Sequence, residues 1–194
     1  DQTASITSSV FAGAMIGTLV LGPLADRIGR KPVFTITTAV ICVFGFATAA
    51  ANSFPVLLLC RFCVGLGIGG LTVPFDTLAE LVPTSRRGTN LLTIQYFWTG
   101  GTLLVPFFAY FSLSEGVDSH GNGWRIFVLL CGLPCLASTI LGLLYVPESP
   151  RWLMTKGKHG KALEILRLAA KRNGKDPMEL FPENTQLVDD EEVE

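Results

Sequence analysis

The sequence predicts an all-α membrane protein, and three observations predict it. Hydrophobic residues fill 49% of the 194 positions and charged residues only 16%, against about a quarter charged in an ordinary soluble domain. Five apolar stretches, at about 6–24, 34–51, 56–82, 91–111 and 126–146, reach the roughly 17–25 residues that a helix needs to cross a bilayer. Inside hydrocarbon the backbone must satisfy its own hydrogen bonds, so runs this continuous predict helix. Third, the positive charge is segregated. Arg27, Arg30 and Lys31 follow the first stretch, Arg86 and Arg87 the third, and Arg151, Lys156, Lys158, Lys161, Arg167, Lys171, Arg172 and Lys175 the fifth. The opposite connections hold Arg125 alone, and Arg61 lies within a stretch. Cytoplasmic loops carry the Lys/Arg excess, so the basic connections are expected in the cytoplasm, the N-terminal residues outside and the C-terminal tail cytoplasmic. The expected organisation is a transmembrane bundle over 1–153, a cytoplasmic amphipathic helix over 154–175 and an acidic, disordered linker over 176–194.

The first stretch is a poor secretory signal, because it lacks a basic start, is long, and precedes four similar stretches. A chain that starts outside with neither signal nor initiating Met is expected to follow at least one further span. Next comes GPLADRIGRKP, residues 22–32, with Asp26, Arg27, Arg30 and Lys31 crowded between glycines and a proline. The spacing is wrong for a phosphate-binding loop, which also needs a preceding strand. A nucleic-acid surface would need more basic residues with interleaved aromatics, and the net charge of −1 argues for no such partner. Gly22 at a helix end permits close backbone approach, and Asp26 either caps the next helix or pairs with a nearby cation. Gly29 allows a left-handed turn, and Pro32 suits the first turn of the helix that follows.

The third stretch carries Arg61, and an ionisable group within a span is a functional candidate by default. It is either a clamp between helices or part of a solute pathway. Gly65 and Gly69 have the small-xxx-small spacing of close helix packing. Cys60-Arg-Phe-Cys63 has redox-motif spacing in the wrong setting, and all five cysteines fall in apolar stretches as packed thiols. Asp76 and Glu80, four apart, share a helix face. Asp76 is either a proton-coupling carboxylate or an interfacial one paired with Arg86 or Arg87. In the fourth stretch Gln95 can donate and accept at once, beside Tyr96, Phe97 and Trp98. These residues serve either solute recognition or helix packing and the lipid interface. Past the fifth stretch, 157–173 is amphipathic and basic, and Asn173-Gly174 is its stop signal. A basic face of this kind favours anionic lipid headgroups.

Together these motifs resemble the major facilitator superfamily of transporters. The 22–32 stretch is similar to the loop between its second and third helices. Arg61 with Gly65, Gly67, Gly69 and Gly70 resembles its fourth helix, and Glu80-Leu-Val-Pro83 with Arg86-Arg87-Gly88 the loop after it. Trp124-Arg125 is similar to the start of the sixth helix, and Pro147-Glu-Ser-Pro-Arg-Trp-Leu153 to the sugar-porter signature. Phe97-Trp98, Gly100-Gly101 and the run from Trp124 to Cys131 resemble most the synaptic-vesicle glycoprotein 2-related branch.

The resemblance implies the N-terminal six-helix half of a twelve-helix transporter lacking its first helix, with five transmembrane helices and a cytoplasmic amphipathic helix. It implies a secondary transporter of a small polar or organic-ion solute, alternating in access, with proton coupling through Asp76 as one reading. It also implies a cytoplasmic gate drawn from Gly22, Asp26, Arg27, Gly29, Arg30, Lys31, Glu80, Arg86, Arg87, Glu148 and Arg151. Arg61, Gln95 and Trp98 become the solute-pathway candidates, Gln95 matching a glutamine with which sugar porters bind a hydroxyl. The partners implied are a small-molecule solute, the lipid bilayer and the C-terminal half of the same transporter, in a plasma or vesicle membrane. No cofactor, metal or nucleic acid is implied, and no nucleophile–base constellation in the spans points to an enzyme. The competing reading is a trafficking or receptor protein that keeps the transporter fold.

Overall fold

Every apolar stretch folds as helix. The computed structural model describes residues 1–82, 87–113, 122–182, 184, 185 and 187, without the side chains of Glu80, Leu81 and Arg87. Its elements are α1 (Gln2–Ile28), α2 (Arg30–Ala49), α3 (Phe54–Gly69), α4 (Thr72–Leu81), α5 (Arg87–Ser112), α6 (Gly123–Tyr145), α7 (Pro150–Thr155), α8 (His159–Arg172) and α9 (Pro177–Leu180). Five segments are long and apolar enough to cross a membrane: Gln2–Ile28, Arg30–Ala49, Phe54–Ala79, Gly88–Ser112 and Gly123–Tyr145.

Two kinds of packing hold the spans together. α1 and α3 lie backbone against backbone. A Cβ on Gly13 or Gly17 would strike the carbonyls of Phe62 and Leu66, and one on Gly65 or Gly69 those of Val10 and Ala14. Ser9 Oγ donates to Leu58 O at 2.8 Å and Thr18 Oγ1 to Gly69 O at 3.2 Å across the same seam. Helices in lipid associate through such close contact, because lipid tails are as apolar as leucine. The spacing of Gly65 and Gly69 anticipates this seam; Gly13 and Gly17 on α1 carry the same four-residue spacing, which sequence reasoning passed over. α2 and α6 pack by insertion instead. The ring of Phe34 fills the notch at Gly142, and that of Phe46 the notch at Gly132, 2.6 Å from where a Cβ would stand.

Two boundaries differ from expectation. The first helix continues through Gly22 and Pro23 to Ile28, so residues 22–32 form a one-residue break between helices instead of a loop. The third span is interrupted. Gly70 and Leu71 turn between α3 and α4, their N–H groups donating only three residues back, to Gly67 O at 2.9 Å and Ile68 O at 3.1 Å. Gly70 is wedged against Thr37 Oγ1, and Pro74 withholds an N–H just beyond.

The basic segment past α6 is two helices, where one was expected. α7 ends at Gly157 (φ +67°) and α8 at Gly174 (φ +70°). At both ends an N–H reaches back across the last turn, Lys158 to Leu153 O at 2.8 Å and Lys175 to Ala170 O at 3.0 Å, as in a glycine-stopped helix. The start of the 176–194 stretch is also helical. Asp176 Oδ1 caps α9 by accepting from Met178 N at 2.9 Å, and Arg167 binds the carbonyls of Phe181 and Pro182 at 3.1 and 2.8 Å. The acidic run 188–194 lies outside the described residues. The fully buried residues Ala25, Val33 and Val73 meet near the junction of α1 and α2, with Leu21 and Leu24 packed on them.

Candidate functional site: the elbow between α1 and α2

Gly29 alone separates the two helices, at φ 112° and ψ 160°. That conformation is essentially confined to glycine, and it is extended in ψ rather than the left-handed turn the sequence suggested. A second demand falls on the same residue, because a Cβ there would strike Glu148 Oε2. The carboxylate is this close because it caps α2 from the segment that follows α6. Glu148 Oε1 accepts from the backbone N–H groups of Arg30 at 2.7 Å, Lys31 at 3.0 Å and Ser149 at 3.0 Å. The first N–H groups of a helix have no partner within it, and the helix dipole favours an anion there. Hydrogen bonds to a charged acceptor contribute roughly 1.5–3 kcal/mol each.

Side chains tie the elbow further. Asp26 Oδ1 and Arg30 Nη2 pair at 3.0 Å across Gly29, with Arg30 largely shielded and Asp26 two-thirds exposed. Trp152 Nε1 donates to the Asp26 carbonyl at 2.9 Å, which straps α7 to the last turn of α1. Ser149 Oγ caps α7 by accepting from Trp152 N at 3.3 Å, and the ammonium groups of Lys156 and Lys158 stand 5.9 and 5.5 Å from the Trp152 ring centre. The segment from Glu148 to Lys158 therefore grips the elbow as a unit.

Of the sequence-predicted gate residues, Asp26, Gly29, Arg30, Lys31 and Glu148 meet here, with one correction in role. Gly22 has no neighbour a Cβ would touch. It lies mid-helix before Pro23, where the proline ring crowds any preceding Cβ, so that is what glycine relieves. Arg27 and Arg151 are exposed and Lys31 is half-buried. The link from Glu148 to the basic motif runs through backbone N–H groups as well as charge. Arg86 and the side chains of Glu80 and Arg87 lie outside the described residues.

The solute-pathway candidates stand elsewhere. Arg61 is half-buried and lines a cavity of about 210 Å³ between α2, α3 and α6, with Ile41, Phe127, Cys131 and Cys135. Asp76 is exposed on α4, Gln95 is exposed on α5, and Trp98 is 72% exposed beside a separate groove along α5. The cysteines are free thiols.

Sequence reasoning missed two contacts. Trp152 was legible only as a motif letter, not as the strap on Asp26. At the opposite end of the bundle Arg125 Nη2 donates to Asn52 Oδ1 at 2.9 Å, fastening the start of α6 to the α2–α3 connection, with its guanidinium 5.1 Å from the Trp124 ring centre.

Comparison with known proteins agrees with this architecture. The family described as "Sugar (and other) transporter" matches residues 1–192. The chain is 36% identical over 167 residues to human synaptic vesicle glycoprotein 2B, covering 81% of this chain and 24% of that one. It is 37% identical over 177 residues to organic anion transporter 3 of Oryctolagus cuniculus, covering 90% and 31%. Among solved structures, a partially occluded inward-open conformation of the xylose transporter XylE from E. coli superimposes with a TM-score of 0.77 at 28% identity, covering 87% of this chain and 44% of that chain. The chain thus spans about a quarter of the length of the synaptic vesicle glycoproteins it matches. With five spanning helices, the elbow and the Glu148 cap in one arrangement, the chain belongs to the Sugar (and other) transporter family, a sugar-porter-like branch of the major facilitator superfamily.

Proposed function

We propose that this chain is part of a secondary transporter that moves a small polar or organic-ion solute by alternating access, with the elbow as a cytoplasmic latch. The observation that carries the reading is the capping of α2 by Glu148. Hydrogen bonds between a carboxylate and helix-end N–H groups can be made and lost as a set, which a two-state gate requires. Asp26, Arg27, Arg30, Lys31 and Arg151 surround the latch, and Glu80, Arg86 and Arg87 complete it in this reading. Solute passes Arg61, Gln95 and Trp98 at an interface with the other half of the transporter, and Asp76 couples a proton. The basic elbow, α7 and α8 face the cytoplasm, and residue 1 faces outside, in a plasma or vesicle membrane.

The test is solute uptake by the full-length protein in proteoliposomes. Saturable, protonophore-sensitive uptake that Asp76→Asn abolishes, with exchange left intact, is the expected result; pH dependence unchanged by Asp76→Asn removes the proton role. The likeness to synaptic vesicle glycoproteins favours one second reading, a trafficking or receptor protein that keeps the fold. No uptake across a broad solute panel, from protein correctly inserted in the membrane, selects it.

A further inference from the structure

Two thiols face each other in the seam between α2 and α6. The register of that seam is fixed by its two aromatic notches, Phe34 against Gly142 and Phe46 against Gly132. The helices therefore run antiparallel, with twelve residues of α2 lying beside ten of α6. Cys42 stands eight residues after Phe34 and Cys135 seven before Gly142, so the two are level. Cys42 is also on the contacting face, because Phe34, Thr38, Cys42 and Phe46 recur every four residues, the spacing of one helix stripe. The Cys135 S–H donates to Thr38 O at 3.7 Å, one turn before Cys42. A helical side chain leans over the turn that precedes it, so Cys42 projects to the same point. Its thiol is a hydrogen-bond neighbour of the Cys135 thiol.

Both cysteines are free, and they differ in access. Cys42 is 6% exposed. Cys135 is half-buried and lines the cavity of about 210 Å³ that Arg61 and Cys131 also line. A guanidinium carries five N–H donors, which gives a small uncharged oxidant such as hydrogen peroxide a hold beside Cys135. The pair thus has one sulfur open to a cavity and a second sulfur waiting directly behind it, the arrangement of an oxidisable thiol with its resolving partner.

We propose that Cys42 and Cys135 form an oxidation-sensitive staple, converted by hydrogen peroxide into a disulfide that joins α2 to α6 midway along their seam. Cys135 Sγ attacks one peroxide oxygen, the O–O bond breaks, and the hydroxide released leaves with the thiol proton as water. Cys42 Sγ then attacks the sulfur of the resulting sulfenic acid. The S–O bond breaks, the S–S bond forms, and a second water carries away the Cys42 proton. Two thiol sulfurs are oxidised and two peroxide oxygens reduced, and no charge is left in the apolar seam. The staple is independent of which solute the protein moves.

The experiment treats the full-length protein in membranes with hydrogen peroxide, caps the remaining thiols with a maleimide under denaturing conditions, and maps linked peptides by mass spectrometry. A Cys42–Cys135 linked peptide pair is expected, lost on treatment with dithiothreitol. It should be accompanied by a rise of several degrees in the thermal unfolding midpoint, since the link constrains the unfolded chain. Cys42→Ala is expected to abolish the link and to strand Cys135 as a sulfenic acid that dimedone labels. Cys135→Ala is expected to abolish the link and leave Cys42 reduced. The unmutated chain decides the matter alone if neither variant folds. Cys42 and Cys135 both still capped by maleimide after peroxide overturns the proposal. So does a link from Cys135 to Cys131 or to any other cysteine in place of Cys42, and so does a Cys42–Cys135 link that leaves the midpoint unchanged or lowers it.

Discussion

Gly29 meets two independent demands, a backbone conformation closed to other residues and the approach of Glu148. Gly29→Ala should therefore lower the thermal unfolding midpoint of the detergent-solubilised full-length protein, with about 1–3 kcal/mol from the backbone alone and more from the collision. Glu148→Ala removes the collision but leaves the N–H groups of Arg30 and Lys31 bare, so it is destabilising by itself. Combined, the two substitutions should cost less than the sum of each, a double-mutant coupling of the size seen for contacting residues, about 0.5–3 kcal/mol. Strict additivity would mean the two residues do not meet. Both are visible in the sequence as motif letters, yet the bond they organise joins positions 118 apart. A cap supplied by another element leaves no local periodicity, and so the residue types were legible while their contact was not.

Among the elements, glycines of identical appearance do opposite work. A Cβ at Gly65 would enter the backbone of α1, whereas Gly160, in the first turn of α8, has open space around it. Gly65→Ala should sharply reduce the folded yield of the full-length protein in membranes, measured by size-exclusion fluorescence. Gly160→Ala should be neutral or stabilising by about 0.5–1 kcal/mol, because alanine loses less backbone freedom in a helix. The same contrast explains which boundaries the sequence revealed. Hydropathy located all five spans, since the need for internally bonded backbone acts on every residue of a run. It missed the interruption at Gly70–Leu71, because the turn depends on Gly70 fitting against Thr37 of α2, a tertiary fact. It also ended the first span too early. Charge marks where a helix leaves the membrane, not where its hydrogen bonds stop, and Arg27 in the last turn suits the negative end of the α1 dipole.

For the whole molecule, the proposed orientation makes a direct prediction. Lys175→Cys should react with an impermeant maleimide only after cells are permeabilised, and Ser53→Cys should react in intact cells; the reverse pattern would invert the assignment. The elbow was largely legible because its residues are crowded into two short motifs. The solute pathway was less so, because Arg61, Asp76, Gln95 and Trp98 are spread over three helices and nothing in their spacing specifies which cavity each serves. The arrangement of α2 and α6 has a mechanical consequence. These helices are joined near one end by Glu148 and near the other by Arg125 and Asn52, with phenylalanine rings seated between them. They cannot slide past one another without unfastening a tie, so they must tilt together as a lever. With α2 about 30 Å long at 1.5 Å per residue, a tilt on the order of 10° about one tie carries the other some 5 Å, roughly one helical turn. On the proposed alternating-access reading, the two ties would transmit rocking from one membrane face to the other for as long as the Glu148 latch stays closed.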